Sequence, residues 1–228
     1  MSRNGLSPEV FGALRTLDGP TLSNAIETFH VRDRLTGYAG YRVRCLFPDL
    51  GVTLGYAVTA QVDRTSPYPP ANKAPLHQLA ELVEASPKPV VLVFQDIGPR
   101  PGYAASFGAF GVALMQRLGA VALVCDTAVK DLDRVRELGF QLFALGSVVS
   151  HGYPRIIRMG VPVVVDGLYV EPGDLIHGDA NGVLSIPLQI ADKVAAEARR
   201  LREVESETLR YVVSREFTLD GALKRMGF

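Results

Sequence analysis

Apolar and polar positions change period along this chain, and the changes mark out its elements. Residues 90–94 and 120–125 are unbroken apolar runs, short and rich in β-branched side chains, so both read as buried strands. A glycine-bearing turn at 107–108 opens an apolar helix between them. As far as Gly146 the order is strand, helix, strand, helix, strand, which predicts a parallel sheet built from right-handed crossovers. Upstream, Ser7-Pro8-Glu9 starts a helix whose apolar stripe is Val10, Leu14 and Leu17. A second short helix follows Gly19-Pro20, with Thr21 or Ser23 as its cap and Ile26 facing inward. Residues 55–62, GYAVTAQV, read as a strand, and Leu76, Leu79, Leu82 and Val83 give 72–85 helical spacing.

Beyond Gly160 the strands become short and are separated by turn residues. They are expected at 161–165, 168–170, 174–177 and 182–186, with antiparallel hairpins at Pro172-Gly173-Asp174 and at 179–182. Helical spacing with many charges returns over 190–213, and a short helix at 219–224 closes the chain. No repeat, low-complexity segment or linker divides the sequence, so 1–228 reads as one α/β domain with a helical extension from about 188 to 228.

Charge narrows the partners. The 24 Lys+Arg balance 24 Asp+Glu, which removes the electrostatic footprint of a protein that grips nucleic acid or an anionic membrane. No apolar stretch approaches the roughly 20 residues that span a bilayer, and the first residues carry no apolar leader. The two cysteines, Cys45 and Cys125, are far apart, and Cys125 lies inside an apolar run. A soluble, reduced, cytoplasmic protein acting on a small molecule is the expectation.

Candidate chemistry concentrates in 107–131, FGAFGVALMQRLGAVALVCDTAVKD. The start of a helix offers unpaired N–H groups and a positive dipole end to an anion. The turn that follows the next strand carries Asp126, Lys130 and Asp131, a cation for an anion beside a carboxylate for a hard metal ion. Residues 96–103 stand at the carboxyl end of a strand, where ligands of open α/β sheets gather. Each feature also has a structural use. Asp131 favours the dipole of a helix over 132–138, Asp126 can cap turn amides, and Gly108 and Gly111 allow close helix packing. His151 and His177 lack zinc spacing, Asp174 and Asp179 suit turns, Glu203, Glu205 and Glu207 form a solvated helix face, and Arg100 has no basic patch around it.

These strings resemble the RraA-like family, which includes class II 4-hydroxy-4-methyl-2-oxoglutarate aldolases. The resemblance covers nearly all of the chain: GYAVTAQV, the Phe107-Gly108 helix start, DTAVKDLDRVRELGFQLFALG at 126–146, where the family has D-G-A-V-R-D, and VPVVVDGLYVEPGDLIHGDANGVLSIP at 161–187. It implies a swivelling β/β/α-type fold, with a partly parallel central sheet, antiparallel hairpins and a C-terminal helix. It also implies a homotrimer or hexamer with sites at subunit interfaces. Asp131 then matches a ligand of a divalent ion, Mg2+ or alternatively Mn2+, and Lys130 stands where the family has a substrate-holding Arg. The amides of Gly108, Ala109, Phe110 and Gly111 match those that bind the carboxylate of pyruvate. The implied reaction is retro-aldol cleavage of a small 2-oxo acid, or oxaloacetate decarboxylation. The alternative is a non-catalytic regulator, since some members bind and inhibit a ribonuclease. Three residues depart from the pattern: Lys130 for Arg, Thr127 for Gly and Ala109 for an acidic residue. If position 127 needs φ > 0, threonine reshapes the turn.

Overall fold

The computed structural model describes residues 5–67 and 74–226. The parallel sheet forms as the apolar runs require. Strands β2 (Thr53–Asp63), β3 (Val90–Asp96), β4 (Ala120–Cys125) and β6 (Gln141–Ala144) lie side by side and parallel. Helices α3 (Ala74–Ala85), α4 (Ala109–Arg117) and α5 (Leu132–Glu137) make the crossovers. The expected helix start at 72–73 lies outside the described residues. Two further strands, β11 (Leu175–Asp179) and β12 (Gly182–Ile186), extend the sheet antiparallel on the far side of β2.

The two edges of this sheet are joined by one stretch of chain. Residues 37–39 pair with β12 through Ala39 N–H to Val183 O and Ser185 N–H to Gly37 O, both 2.9 Å. A few residues later β1 (Arg44–Cys45) pairs with β6. The sheet is thereby nearly closed, and its alternating residues divide into inside and outside. Val91, Val93, Ala122, Val124, Phe143 and Ile176 point to an inner cluster, where Val163, Val165, Leu168 and Val170 join them. Leu92, Phe94, Leu123 and Cys125 point outward under α3, α4 and α5. Both faces of the central strands are buried, which is why their sequence shows no alternation. On the other side of the closed sheet, α1 (Pro8–Leu14), α2 (Gly19–Glu27) and α6 (Ala191–Val212) cover Leu54, Leu175, Leu184 and Ile186.

Several expectations are corrected. The cap of α2 is Asp18, which accepts from Thr21 N–H at 2.9 Å, so neither Thr21 nor Ser23 caps it. The turn at 172–174 makes no hairpin. The hairpin falls one turn earlier, where β9 (Val163–Val165) pairs with β10 (Leu168–Val170) across Asp166-Gly167. Both of those residues have positive φ, 46° and 88°, the conformation a two-residue hairpin of this hand needs. Strand β8 (Arg155–Met159) has no apolar alternation in its RIIRM sequence and was not anticipated; it pairs antiparallel with the last residues of β2. The hairpin at 179–182, the strands near 55–62 and 182–186, and α7 (Leu219–Met226) form as expected.

Candidate functional site

Three loops at the carboxyl ends of the parallel strands bring the two halves of 107–131 together. Ser106 N–H donates to Ala128 O at 2.9 Å, Lys130 N–H to Phe107 O at 3.3 Å, and Val148 N–H to Val129 O at 2.9 Å. The short strands β5 (Ala128–Val129) and β7 (Gly146–Ser147) are thus clamped beside the loop that starts α4. Phe107 anchors that loop, its ring 5.5 Å from Phe94 and packed so closely on Gly111 that no Cβ would fit there. Gly111 therefore serves helix packing, and its amide, one of the first of the helix, stays available.

Asp131 precedes α5 with φ of 59°, in the left-handed region that aspartate tolerates better than most residues. Its carboxylate makes no cap on its own helix. It reaches instead to the start of α4, where Ala109 N–H donates to Asp131 Oδ2 at 3.0 Å. Asp131 still sits at the positive end of α5, and its hydrogen bond ties the two helix starts together. Gly108 fits between Asp131 and Lys130: a Cβ there would collide with Asp131 Oδ2 and lie 2.7 Å from Lys130 Cε. Lysine, aspartate and helix start form one polar shelf. Asp131 is exposed, Lys130 and Gly108 are half-buried, and the Phe110 side chain, 80% exposed, makes no wall of it.

Thr127 is not strained. It is fully buried with ordinary backbone geometry, and its hydroxyl donates to Ser106 Oγ at 2.6 Å, tying the turn to the loop before α4. Asp126 caps an amide, but on the neighbouring strand: Asp96 N–H donates to Asp126 Oδ1 at 2.6 Å. Burial pushes the Asp126 carboxyl up to about 6, and the Asp96 charge adds to the rise. The sign follows from linkage. A carboxyl raised in the fold binds more protons there than in the unfolded chain, so its contribution to stability falls as pH rises from about 4 to 6. Asp126→Asn, which keeps the accepting oxygen, is expected to gain stability over the native chain by roughly 2 kcal/mol between pH 4 and 7.5. Urea unfolding of both proteins at the two pH values checks this, and a pH-independent difference contradicts it.

The remaining polar residues are structural. His177 is buried with Nε2 3.0 Å from Leu17 O, and Asp179 accepts from Gly19 N–H at 2.7 Å and Asn181 N–H at 2.7 Å. Arg100 lies 5.4 Å from the Tyr103 ring. A groove of about 410 Å³ lined by Ser23, Glu27, Tyr38 and Leu184 opens on the α2 side, away from the shelf.

A model of the RraA-like family, described as Aldolase/RraA, matches residues 20–185. The chain belongs to the RraA-like family. A Halalkalibacterium halodurans protein named "Putative 4-hydroxy-4-methyl-2-oxoglutarate aldolase" is 27% identical over 149 residues, covering 65% of this chain and 70% of that one. Among solved structures, an uncharacterized protein from Pseudomonas syringae pv. tomato superposes with a TM-score of 0.77 at 23% identity, covering 100% of this chain and 98% of that one. Streptomyces coelicolor RraAS2, titled an unusual member of the RNase ES inhibitor RraA protein family, gives 0.71 at 23% identity, covering 90% and 98%. At these identities the structural likeness establishes the RraA-like fold.

Proposed function

We propose that this RraA-like protein is a divalent-metal-dependent carbon–carbon lyase that releases pyruvate from a small 2-oxo acid. The substrates would be of the 4-hydroxy-4-methyl-2-oxoglutarate type, or oxaloacetate. The observation that carries the proposal is the shelf itself, where the Asp131 carboxylate, the Lys130 side chain and the first amides of α4 meet around Gly108. A protein-binding regulator has no need to hold an aspartate in a left-handed conformation to bring a carboxylate there.

The donor set suits one kind of ion. No group of three or more His, Cys, Asp or Glu residues that could hold a metal occurs among the described residues, so a site enclosed by protein ligands does not fit. A hydrated Mg2+ does, because it accepts one or two carboxylates and completes its shell with waters and substrate oxygens. Asp131 would hold it, and the ion would stabilise negative charge developing on the keto oxygen. The amides of Phe110 and Gly111, left without helical partners by position, bind the substrate's 1-carboxylate. Ala109 N–H joins them when Asp131 turns from it. Lys130 offsets the remaining charge, as a point charge on a flexible stem where an arginine would add a second directed donor.

The shelf is open in a single chain, and Tyr103, Phe110 and Val149 are exposed on the same loop edge. A second copy of the chain, in a trimer or hexamer, would close it and exclude water. Pyruvate release from oxaloacetate and from 4-hydroxy-4-methyl-2-oxoglutarate, in Mg2+ and then in excess chelator, tests the proposal. Rates above the metal-only background that vanish with chelator are expected, and no pyruvate above background would sink it. Lys130→Ala is expected to raise KM about tenfold, near 1.4 kcal/mol of lost attraction, with a smaller effect on kcat. An unchanged KM would remove Lys130 from the site.

A further inference from the structure

The shelf is assembled from two segments of chain, 106–109 and 127–131, and whatever holds them in register sets its shape. Ser106 N–H and Lys130 N–H reach across to Ala128 O and Phe107 O at 2.9 and 3.3 Å. The second of these is longer than most N–H···O bonds, and the bond from Ala109 N–H to Asp131 lies on the exposed side of the shelf. One further tie joins side chain to side chain. The Thr127 hydroxyl meets Ser106 Oγ at 2.6 Å, near the short end of the range for O–H···O bonds. Thr127 Oγ1 also lies 3.0 Å from Ala128 O. Thr127 is 0% exposed and Ser106 7%. A β-branched side chain is stiff about χ1, so the Thr127 hydroxyl is held in one direction. The backbone around the pair is fixed to other loops: Leu145 N–H donates to Thr127 O at 3.1 Å, and Ala105 N–H donates to Ser150 O at 2.9 Å. The two hydroxyls therefore link the loops that follow β3, β4 and β6.

Burial alone does not call for two hydroxyls here. Apolar groups of the same shape, replacing both partners, fill such a site at nearly no cost in stability. What they lack is direction. A hydrogen bond between the two side chains fixes one residue of each loop against the other, and the groups of the shelf are close by in the chain. Ser106 stands two residues before Gly108, and Thr127 three before Lys130 and four before Asp131. A small slip between Ser106 and Thr127 is passed to the α4 amides on one side and to the charged pair on the other. Both residues are buried, so their effect on a substrate runs through the groups they hold.

We propose that Thr127 and Ser106 are positioning residues, whose paired hydroxyls fix how Lys130 and Asp131 stand over the first amides of α4. The inference rests on the lyase function proposed above and adds the residues that keep its parts aligned. Its test follows pyruvate release from oxaloacetate in Mg2+, with the Tm of each full-length variant measured beside it. Thr127→Val keeps the shape and removes the hydroxyl. It is expected to lower kcat about tenfold with KM changed less than about twofold, because alignment matters more in the transition state than in substrate binding. It also leaves the Ser106 hydroxyl buried without this partner, so its Tm is expected to fall by about 5 °C. Adding Ser106→Ala to Thr127→Val removes both partners and is expected to recover most of the Tm while kcat stays low. Thr127→Ser, which keeps the hydroxyl, is expected to bring kcat back to within about threefold of the wild type. A kcat that recovers together with Tm in the double variant makes the pair a structural tie only and overturns the inference. Wild-type kcat in Thr127→Val, or a Thr127→Ser as slow as Thr127→Val, overturns it too, and each leaves the lyase proposal standing. A wild type that releases no pyruvate overturns both.

Discussion

Asp131→Ala is expected to lower kcat/KM for pyruvate release by about a thousandfold, near 4 kcal/mol of transition-state stabilisation. The size follows from what one side chain does in the proposed site. It is the carboxylate of the shelf, it anchors the ion, and it stands against the amides that receive the substrate carboxylate. Folding stability should fall much less, by about 1–2 kcal/mol, from the lost contact with Ala109 N–H and from alanine at φ of 59°. Asp131→Asn separates the two effects. It keeps an oxygen for Ala109 and tolerates the left-handed backbone, so its stability should match the native chain while activity is lost to nearly the same degree. Initial rates with oxaloacetate and parallel denaturation curves check both, and equal rates in wild type and Asp131→Ala would remove Asp131 from the reaction.

The second large effect concerns the closed sheet. Phe143→Ala is expected to cost about 3–5 kcal/mol, enough to remove a large part of the stability of a domain of this size. Phe143 is fully buried in the inner cluster, on a strand between β4 and β1. Its ring lies so close to Gly178 on β11 that a Cβ there would come to 2.5 Å from it. It therefore spans the interior, and its loss leaves a cavity that rigid strands on several sides cannot collapse into. Chemical denaturation of the purified variant measures the cost. A loss under about 1 kcal/mol would mean that the interior is loosely packed and that closure owes little to this side chain.

Much of this was legible in the sequence because it depends on local pattern. The apolar runs at 90–94 and 120–125 became parallel strands, and the apolar helix opened by the turn at 107–108 became α4. What local pattern could not show were relations across the chain. β8 has no periodic signal in RIIRM, because what makes it a strand is its pairing with β2. The proline-bearing turn at 172–174 reads as a hairpin and the Asp166-Gly167 turn does not, because strand partners decide which turn is a hairpin. At the candidate site the residues were found and their contacts were not. Asp131 reads as an acidic residue favouring the dipole of the helix it precedes, and only the fold shows its carboxylate accepting from the neighbouring helix start. Thr127 reads as a strained substitution, and the structure gives it an unstrained, buried hydroxyl contact. Asp96 was visible only as the start of a strand-end loop, and nothing in V-D-R-T marks Arg64 as buried.

The proposed chemistry depends on the shelf between Asp131, Lys130 and the first amides of α4. A crystal of the protein soaked with Mg2+ and pyruvate, solved far enough to see the ion's shell, tests it most directly. The expected map shows the ion against Asp131, with the pyruvate carboxylate on the amides of residues 109–111 and the Lys130 ammonium beside it. Pyruvate density elsewhere, or a shelf with neither ion nor pyruvate at saturating concentrations, would contradict it.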